Sequence, residues 1–298
     1  MVVGPTASGK TAFATGLAER FGGELISADS RQVYRHCDIG TNKPSASELH
    51  GIPCHLLDVV DPGTAFTVAD YVPLAQRALT AVWGRGRLPV LQGGTGLYIR
   101  ALLDGWNLAD APPDPRVRAA LEDRLEQEGP AALDAELRRI DPQAADRAQQ
   151  NPRRMIRALE IYTITGQPPT AARRANPPAW AITALGLDVP LAELDQRIES
   201  RVLRMLADGF VEEVARIRRD YPAADFGRLG HGYPEMARHL DGDLTLKAAI
   251  TSTVLQVRQY ARRQLTWFRA DNRVQWIPPD LDLAAARLPA GIMGTEAS

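Results

Sequence analysis

Several patterns that mark other classes of protein are missing from this sequence. Only two cysteines occur in 298 residues, Cys37 and Cys54. They do not form a C-x-x-C pair, so we expect two unpaired thiols in a reducing compartment. The five histidines lack metal-ligand spacing, which argues against a zinc site. There is no run of about 18 apolar residues and no secretory signal. The sequence therefore predicts a cytoplasmic, monomeric protein that does not span a membrane.

The chain also lacks an overall excess of charge of either sign. Its formal net charge is −1, which argues against a protein that coats nucleic acid. Basic residues nevertheless outnumber acids in two stretches, 131–178 and 247–273. Local basic stripes on a neutral protein favour a polyanion bound on one face. A solvated helix face with salt bridges is the alternative for any single cluster.

The most specific single motif lies at the start of the chain. Residues 4–11 read GPTASGKT, the G-x-x-x-x-G-K-[ST] pattern of a phosphate-binding loop. Backbone N–H groups of such a loop surround a phosphate, and the following helix adds its positive N-terminal end. Lys10 supplies a cation for the outer phosphate and Thr11 offers a hydroxyl to Mg²⁺. The predicted diphosphate-binding residues are Gly4, Pro5, Thr6, Ala7, Ser8, Gly9, Lys10 and Thr11. The motif does not distinguish a diphosphate from a nucleotide such as ATP.

The strand that feeds this phosphate loop is short in the sequence. Only Met1, Val2 and Val3 precede Gly4, whereas strands usually run about five residues. We therefore expect the start of the chain to be truncated or set late.

Strand and helix patterns alternate over residues 1–110 and again over 181–280. Strands are predicted at 24–28, 55–60, 88–92 and 184–189, and helices at 67–83, 191–219 and 244–268. Thr67 is the predicted N-cap of the first of these helices, with Asp70 completing a capping box. This order predicts an α/β fold, a P-loop core in which helices cover both faces of a parallel sheet.

Residues 111–180 have a different character. A Pro-rich linker at 111–115 is followed by helix patterns at 117–127, 131–140 and 152–165 without a strand pattern between them. The sequence predicts a helical insertion domain here, interrupting the core. Residues 281–298 are rich in Ala, Pro and Gly and are predicted to form a flexible tail.

Two polar turns follow predicted strands of the core. Asp29 follows the second strand, and residues 93–96 (GGTG) follow the strand at 88–92. Because the carboxyl ends of parallel strands line the ligand crevice, both turns are expected to face the phosphate loop. Asp29 either acts there as a base or a ligand of magnesium water, or it caps the next turn. Thr95 can donate a hydrogen bond in the crevice.

Seven sequence blocks together resemble one known family. They are GPTASGKT at 4–11, ISADSRQVYRHCDIGTNKP at 26–44, HLLDVVDP at 55–62, FTVADY at 66–71, GGTGLYIRAL at 93–102, NPRRMIRALE at 151–160 and RQYARRQLTWFR at 258–269. This combination resembles the tRNA dimethylallyltransferases, also called isopentenyl-tRNA transferases. The DSRQVY and RRQLTWFR blocks are far more specific than the phosphate loop alone.

The resemblance implies a reaction and a set of catalytic residues. A dimethylallyl group would pass from dimethylallyl diphosphate to N6 of the adenosine 3′-adjacent to the anticodon of tRNA, releasing diphosphate. Lys10 and Mg²⁺ on Thr11 would stabilise the leaving diphosphate. Asp29 would bind the N6 amino group and take its proton. Thr95 would bond a bridging or leaving oxygen, and Arg201 would add a second cation.

The resemblance also implies a tRNA anticodon stem–loop as the partner. The target adenine must leave its stack to react, and the helical insertion would grip the stem–loop. The residues expected to contact tRNA are Asp29, Ser30, Arg31, Gln32, Thr95, Arg118, Arg153, Arg154, Met155, Ile156, Arg157, Gly232 and Tyr233. Pro234 departs from the family's usual Gly-Tyr-Lys-Glu turn and removes a backbone N–H and an expected phosphate contact. The Cys/His finger of longer eukaryotic relatives is absent.

Three other functions would use the same phosphate loop. A small-molecule kinase that uses ATP leaves the basic insertion and the C-terminal helix unexplained. A prenyltransferase acting on free adenine nucleotides needs no insertion that grips tRNA. A nucleic-acid-binding module that uses nucleotide as a switch does not require Asp29 beside the loop.

Overall fold

The computed structural model describes residues 1–106, 113–172 and 175–281. The predicted tail lies outside the described residues from position 282 onward. The chain divides into two compact units, one formed by Met1–Arg100 with Trp180–Ser298 and the other by Ala101–Ala179. The divisions predicted from the sequence lie after residues 110 and 180.

A parallel sheet of six strands forms the centre of the first unit. Its strands are β1 (Val2–Val3), β2 (Gly23–Ser27), β3 (Cys54–His55), β4 (Leu88–Gly93), β5 (Ala184–Leu187) and β6 (Val274–Ile277). They are arranged in the order β3-β2-β4-β1-β5-β6, and every neighbouring pair is parallel. The short β1 is central, since Val2 pairs with Gln92 on one side and Leu185 on the other. The predicted α/β class is confirmed.

Helices connect these strands and make up the second unit. They are α1 (Lys10–Phe21), α2 (Val68–Gly84), α3 (Gly96–Leu103), α4 (Pro115–Glu128), α5 (Pro130–Ile140), α6 (Pro142–Ala148), α7 (Pro152–Thr165), α8 (Pro169–Ala172), α9 (Leu191–Ala207), α10 (Phe210–Asp220), α11 (Phe226–Leu229), α12 (Tyr233–Leu240) and α13 (Leu246–Arg269). In the described part of the chain, none of them combines the length and the hydropathy needed to cross a membrane.

The start of α2 shows how local sequence determines a helix boundary. The Thr67 hydroxyl accepts a hydrogen bond from the Ala69 N–H at 3.2 Å, and the Asp70 carboxylate accepts one from the Thr67 N–H at 2.8 Å. These reciprocal bonds satisfy N–H groups that have no partner within the helix. The predicted capping box is confirmed.

Two predicted elements are wrong. The helix predicted over 191–219 is interrupted at Gly209, whose φ of 97° lies in the left-handed region and which caps α10. The strand predicted over 55–60 ends at His55, because Leu56 and Asp58 adopt φ values of 67° and 56° that no strand permits. Strand β6 at the sheet edge was not predicted.

The second unit is a helical unit with its own apolar core. Fully buried side chains of α5 and α7, Leu133, Leu137, Met155 and Leu159, form its centre. The apolar residues of α7 recur at i and i+4, so they face one side of the helix. Met155 and Ile156, expected to contact tRNA, have side chains buried in this core, and their contact with tRNA stays a prediction.

The arginines of the second unit fall into two groups. Glu160 is fully buried, and Arg118 and Arg157 donate hydrogen bonds to its carboxylate at 2.8 and 2.7 Å. Burial would raise the pKa of Glu160, but these two guanidinium groups outweigh it and lower that pKa. Arg153 and Arg154 are exposed in the first turn of α7. These two are therefore available to a polyanion, and their contact with tRNA stays a prediction.

Candidate active site

The phosphate loop joins the end of β1 to the start of α1. Gly4 and Gly9 take φ values of 152° and 89°, which the bend of the loop requires. A Cβ atom added to Gly9 would meet no atom within 4 Å, so backbone conformation and not packing favours glycine at this position. The first N–H groups of α1 have no partner within the helix and are therefore suited to binding an anion.

Lys10 lies inside the loop as its cation. Its Nζ donates a hydrogen bond to the Pro5 carbonyl oxygen at 2.8 Å. Burial lowers the pKa of Lys10 to about 8, the negative charge of Asp29 opposes this, and Arg201 lowers the pKa further. Two cations and one carboxylate therefore act on each other at the loop.

Arg201 of α9 holds the loop from the other side. Its Nη1 donates to the Thr6 hydroxyl at 3.0 Å, and its Nη2 donates to the Thr41 carbonyl oxygen at 3.4 Å. Burial lowers the pKa of Arg201 to about 10, and the charge of Asp29 opposes this. The guanidinium group keeps its charge at neutral pH, so it contributes positive potential beside the phosphate loop.

Asp29 follows β2 and lies at the electrostatic centre of the site. Its Oδ1 accepts a hydrogen bond from the Arg31 N–H at 2.8 Å, so Asp29 does cap the next turn. Its charge also raises the pKa of both Lys10 and Arg201. The capping contact orients the carboxylate and does not exclude a role as base, which stays a prediction.

Thr95 brings the second glycine turn, residues 93–96, against this segment. The Thr95 N–H donates to the Ala28 carbonyl oxygen at 3.1 Å. Its Oγ1 accepts from the Ser30 N–H at 2.9 Å and donates to the Ser30 hydroxyl at 3.3 Å. The structure therefore places Asp29, Ser30 and Thr95 next to one another, as the sequence predicts.

Close packing explains the glycines of the second glycine turn. A Cβ atom on Gly93 would lie 2.3 Å from the Ala28 carbonyl oxygen, and one on Gly96 would lie 2.3 Å from the Trp267 ring. A Cβ atom on Gly94 would lie 2.1 Å from the side-chain amide nitrogen of Gln264. These distances are far below van der Waals contact. Gly93 meets backbone and therefore requires glycine, whereas a Cβ atom at Gly94 or Gly96 would have to displace the Gln264 or Trp267 side chain.

The charge of Asp29 acts on three tyrosines, Tyr71, Tyr98 and Tyr260, whose role near the site was not predicted. Tyr71 and Tyr98 stack with ring centroids 4.3 Å apart. Burial raises the pKa of both hydroxyls, and the charge of Asp29 raises both further. Burial also raises the pKa of Tyr260, to about 12. All three phenols are therefore neutral at physiological pH.

Three residues expected to contact tRNA, Gln32, Gly232 and Tyr233, are buried. Gln32 is buried; its amide oxygen accepts from the Ser27 hydroxyl at 3.2 Å and its amide nitrogen donates to the Asn42 carbonyl oxygen at 3.1 Å. Gly232 and Tyr233 are buried as well. The Gln32 amide and the Tyr233 hydroxyl are bound to groups of the protein, and contact of these three residues with tRNA stays a prediction. Arg31 donates a hydrogen bond to the Arg228 carbonyl oxygen.

Glu213 of α10 anchors the loop that follows Asp29, and sequence analysis missed it. Its carboxylate, 1% exposed, accepts hydrogen bonds from the N–H groups of Asp38, Ile39 and Gly40 at 2.8–3.0 Å and from the Tyr233 hydroxyl at 2.7 Å. Four donors satisfy a buried negative charge. The loop after Asp29 is thereby held in one conformation.

The basic stretch 247–273 is largely paired within the protein. Arg262 donates two hydrogen bonds to the Asp195 carboxylate at 2.7 and 3.1 Å. Arg258 donates to Glu199 at 2.8 Å. These ion pairs with α9 correspond to the salt-bridge alternative for this stretch.

The two cysteines are unpaired, as expected. Burial raises the pKa of Cys37 and of Cys54 to about 12. Neither thiol is therefore ionised at neutral pH, and neither has the reactivity of a catalytic nucleophile.

The described residues contain no group of three or more His, Cys, Asp or Glu side chains that could hold a metal ion. Thr11, the predicted magnesium ligand, lies half-buried in the first turn of α1. Mg²⁺ in phosphate-transfer sites is commonly held by one or two protein oxygens together with substrate phosphates. The donor set therefore fits an ion carried by a bound diphosphate, and not an ion in a protein cage.

The chain matches two family models and is similar to several named proteins. The family model described as "IPP transferase" matches residues 32–271, and the model described as "Isopentenyl transferase" matches residues 1–60. A protein of Thermomicrobium roseum named "tRNA dimethylallyltransferase" is 47% identical over 277 residues, covering 92% of this chain and 84% of the relative. One of Roseiflexus sp. with the same name is 45% identical over 281 residues, covering 94% and 92%.

Solved structures give a consistent result. The full-length tRNA isopentenylpyrophosphate transferase of Bacillus halodurans is 41% identical, with a TM-score of 0.70 over 95% of this chain and 90% of that one. A eukaryotic dimethylallyltransferase acting on tRNA is 26% identical, with a TM-score of 0.80 over 93% and 73%.

Proposed function

This chain belongs to the IPP transferase family, and from that premise we propose that it transfers a dimethylallyl group from dimethylallyl diphosphate to N6 of the adenosine 3′-adjacent to the anticodon of tRNA. Diphosphate is the second product. The observation that carries the proposal is the position of Asp29, whose charge acts on both Lys10 and Arg201 at the phosphate loop. A base for the acceptor thus lies beside cations for the leaving group.

The phosphate loop would stabilise the leaving group. Breaking the allylic C–O bond leaves its electron pair on the diphosphate, where negative charge grows. Lys10 and Arg201 supply positive charge, and the first N–H groups of α1 supply hydrogen-bond donors. A bound anion raises the pKa of Lys10 above its value in the free protein, so Lys10 stays protonated during the reaction. Mg²⁺, held by the Thr11 hydroxyl and diphosphate oxygens, would add further positive charge.

Asp29 would act on the acceptor. As N6 forms a bond to the terminal allylic carbon, the amino group must lose one proton, and the Asp29 carboxylate accepts it. The hydrogen bond from the Arg31 N–H fixes Oδ1 of that carboxylate. Thr95, held against Ser30, would turn its hydroxyl toward a diphosphate oxygen. Positioning these groups around two bound substrates accounts for catalysis without a covalent enzyme intermediate.

A label-transfer assay tests this proposal. Radiolabelled dimethylallyl diphosphate and Mg²⁺ are incubated with unmodified tRNA, with AMP in a parallel reaction, and the tRNA is digested to nucleosides. Label in isopentenyladenosine from tRNA is expected, and it should disappear when the adenosine 3′ of the anticodon is replaced by guanosine. Label in AMP alone would indicate a nucleotide prenyltransferase. ATP hydrolysis without label in either acceptor would indicate a kinase.

Asp29→Asn is the matched variant for the same assay. It keeps the side-chain size and removes the proton acceptor, so we expect the transfer rate to fall by roughly 10²–10⁴-fold while tRNA affinity changes little. A loss of affinity in proportion to the loss of rate would contradict the role as base.

A further inference from the structure

Gln264 of α13 joins the two glycine-rich turns of the site. Its side chain is 5% exposed. Its amide oxygen accepts a hydrogen bond from the Thr6 N–H of the phosphate loop at 2.8 Å. Its amide nitrogen donates to the Gly94 carbonyl oxygen of the second glycine turn at 2.8 Å. One amide group therefore bridges the turn for the diphosphate and the turn that carries Thr95.

The two partners dictate the orientation of this amide. Thr6 N–H can only donate and Gly94 C=O can only accept, so exchanging the amide oxygen and nitrogen would break both bonds. Gly94 has no room for a Cβ atom because the Gln264 amide nitrogen occupies that space. The Tyr260 hydroxyl, one helical turn earlier on α13, lies near both Gln264 and Thr95, and both lower its pKa against the effect of burial. The surroundings are thus built around this one side chain.

The bridge lies where the sheet stops holding the two turns together. The β1–β4 pairing ends with Val3 opposite Gly93. Beyond that point the two chain segments leave the sheet, and Gln264 links Thr6 to Gly94 in place of the next ladder hydrogen bonds. Thr6 is then held at two atoms, its N–H by Gln264 and its hydroxyl by Arg201.

We infer that Gln264 is a positioning residue for the transfer reaction, fixing the phosphate loop relative to the turn that carries Thr95 and contacts the segment of Asp29. This inference rests on the proposed function. Its physical basis is that a shift of about 1 Å between reacting groups can cost roughly 10²-fold in rate. Gln264 is proposed to contact neither substrate. It would act by holding Thr6 and Gly94 in place.

Two substitutions at this position and one control test the inference. Gln264→Met keeps the length of the side chain and loses both hydrogen bonds. Gln264→Glu keeps an acceptor for the Thr6 N–H and, when ionised, has no donor for the Gly94 carbonyl. Gln259→Met, on the exposed side of the same helix, is the matched control. For each variant, kcat and the KM for tRNA are measured and normalised to the folded fraction at the assay temperature.

We expect Gln264→Met to lower kcat by roughly 10–100-fold with the KM for tRNA within about twofold of wild type. Gln264→Glu should lower kcat as well, and Gln259→Met should match wild type. A purely structural role would reduce only the folded fraction. Normal kcat per folded molecule in Gln264→Met, or a change confined to the KM for tRNA, overturns the inference. If Gln264→Met does not fold, the kcat of Gln264→Glu decides by the same criterion.

Binding of inorganic diphosphate separates this inference from the proposed function. If wild type transfers no label to tRNA, the proposed function fails, and calorimetric titration with inorganic diphosphate and Mg²⁺ then decides on Gln264 alone. A roughly tenfold weaker affinity of Gln264→Met supports the positioning of the phosphate loop. An affinity equal to that of wild type overturns it.

Discussion

The two glycine-containing turns of the site, residues 4–11 and 93–96, both follow a strand but use glycine for opposite physical roles. In the phosphate loop, Gly4 and Gly9 adopt positive φ values, and Gly9 has open space above it. In the second glycine turn, protein atoms fill the space where the Cβ atoms of Gly93, Gly94 and Gly96 would lie. Glycine in the first turn permits the backbone shape of the phosphate loop. Glycine in the second permits contact between protein segments, so composition alone cannot identify a ligand-binding turn.

Among these tests, the largest effect on the transfer rate is expected from removing Lys10, the cation of the phosphate loop. Lys10→Ala should lower the transfer rate by roughly 10²–10³-fold, because charge on the leaving diphosphate loses its nearest cation. Steady-state label transfer measures this rate. Lys247→Ala, an exposed lysine on α13, is the control and should match wild type. A reduction of less than about fivefold in Lys10→Ala would remove Lys10 from the mechanism.

The pH dependence of the first turn follows from the same residue. Burial holds the pKa of Lys10 in the free protein at about 8, so the cation is present below that pH and lost above it. We expect kcat/KM for dimethylallyl diphosphate, which reports on the free enzyme, to fall about tenfold per pH unit above that pKa. Lys10→Arg keeps its charge across this range and should move the decline upward. The same decline in both proteins would assign it to another group.

Alanine substitutions in both turns compare their packing directly. Gly94→Ala should cost about 1–3 kcal/mol in the free energy of unfolding, because its Cβ displaces the Gln264 amide. Gly9→Ala should cost about 1–2 kcal/mol through backbone strain alone. Urea unfolding of each variant, alone and combined with Gln264→Ala, gives the coupling energy.

We expect the loss of unfolding free energy caused by Gly94→Ala to be smaller when Gln264→Ala is also present. The loss caused by Gly9→Ala should be the same with or without Gln264→Ala. Equal behaviour of the two glycines would contradict the packing role of the second turn. Gly9→Ala strains the backbone of the phosphate loop itself, so of the two it should weaken inorganic diphosphate binding more.

The smallest effect is expected from substitutions outside both turns. Replacing Arg153 and Arg154 by Gln removes two exposed charges from α7. If they contact phosphates, tRNA affinity should fall roughly tenfold at 0.15 M salt, and the slope of log K against log salt should decrease by about 1.5–2. Filter binding across salt concentrations measures both. Arg77→Gln on α2 is the control, and unchanged affinity in the double variant would exclude α7 from the tRNA interface.

Features with a local cause were predictable from the sequence. The phosphate loop and the Thr67 cap each depend on residues a few positions apart, and the structure has both as expected. The interruption before α10 also had a local signal in Gly209, since glycine in a helical run often ends a helix. The burial of Met155 had one too, because it recurs with Leu159 at helical spacing.

The contacts that assemble the site had no local signal. The carboxylate of Glu213 binds N–H groups 173–175 residues earlier in the chain. Gln264 contacts a carbonyl oxygen 170 residues away. No helical or strand period relates such positions, and a buried glutamine or glutamate looks like any polar residue on an exposed helix face until the fold is known.

The contact between Gln264 and Thr6 has a consequence for biosynthesis. These residues are separated by 258 positions. A ribosome adding roughly 5–20 residues per second therefore makes Gln264 about 13–50 s after it makes Thr6. For part of that interval β5, which pairs with β1 on one side, has not been synthesised either. Until then the nascent chain carries the residues of the phosphate loop without the contact that holds them against the turn of Thr95.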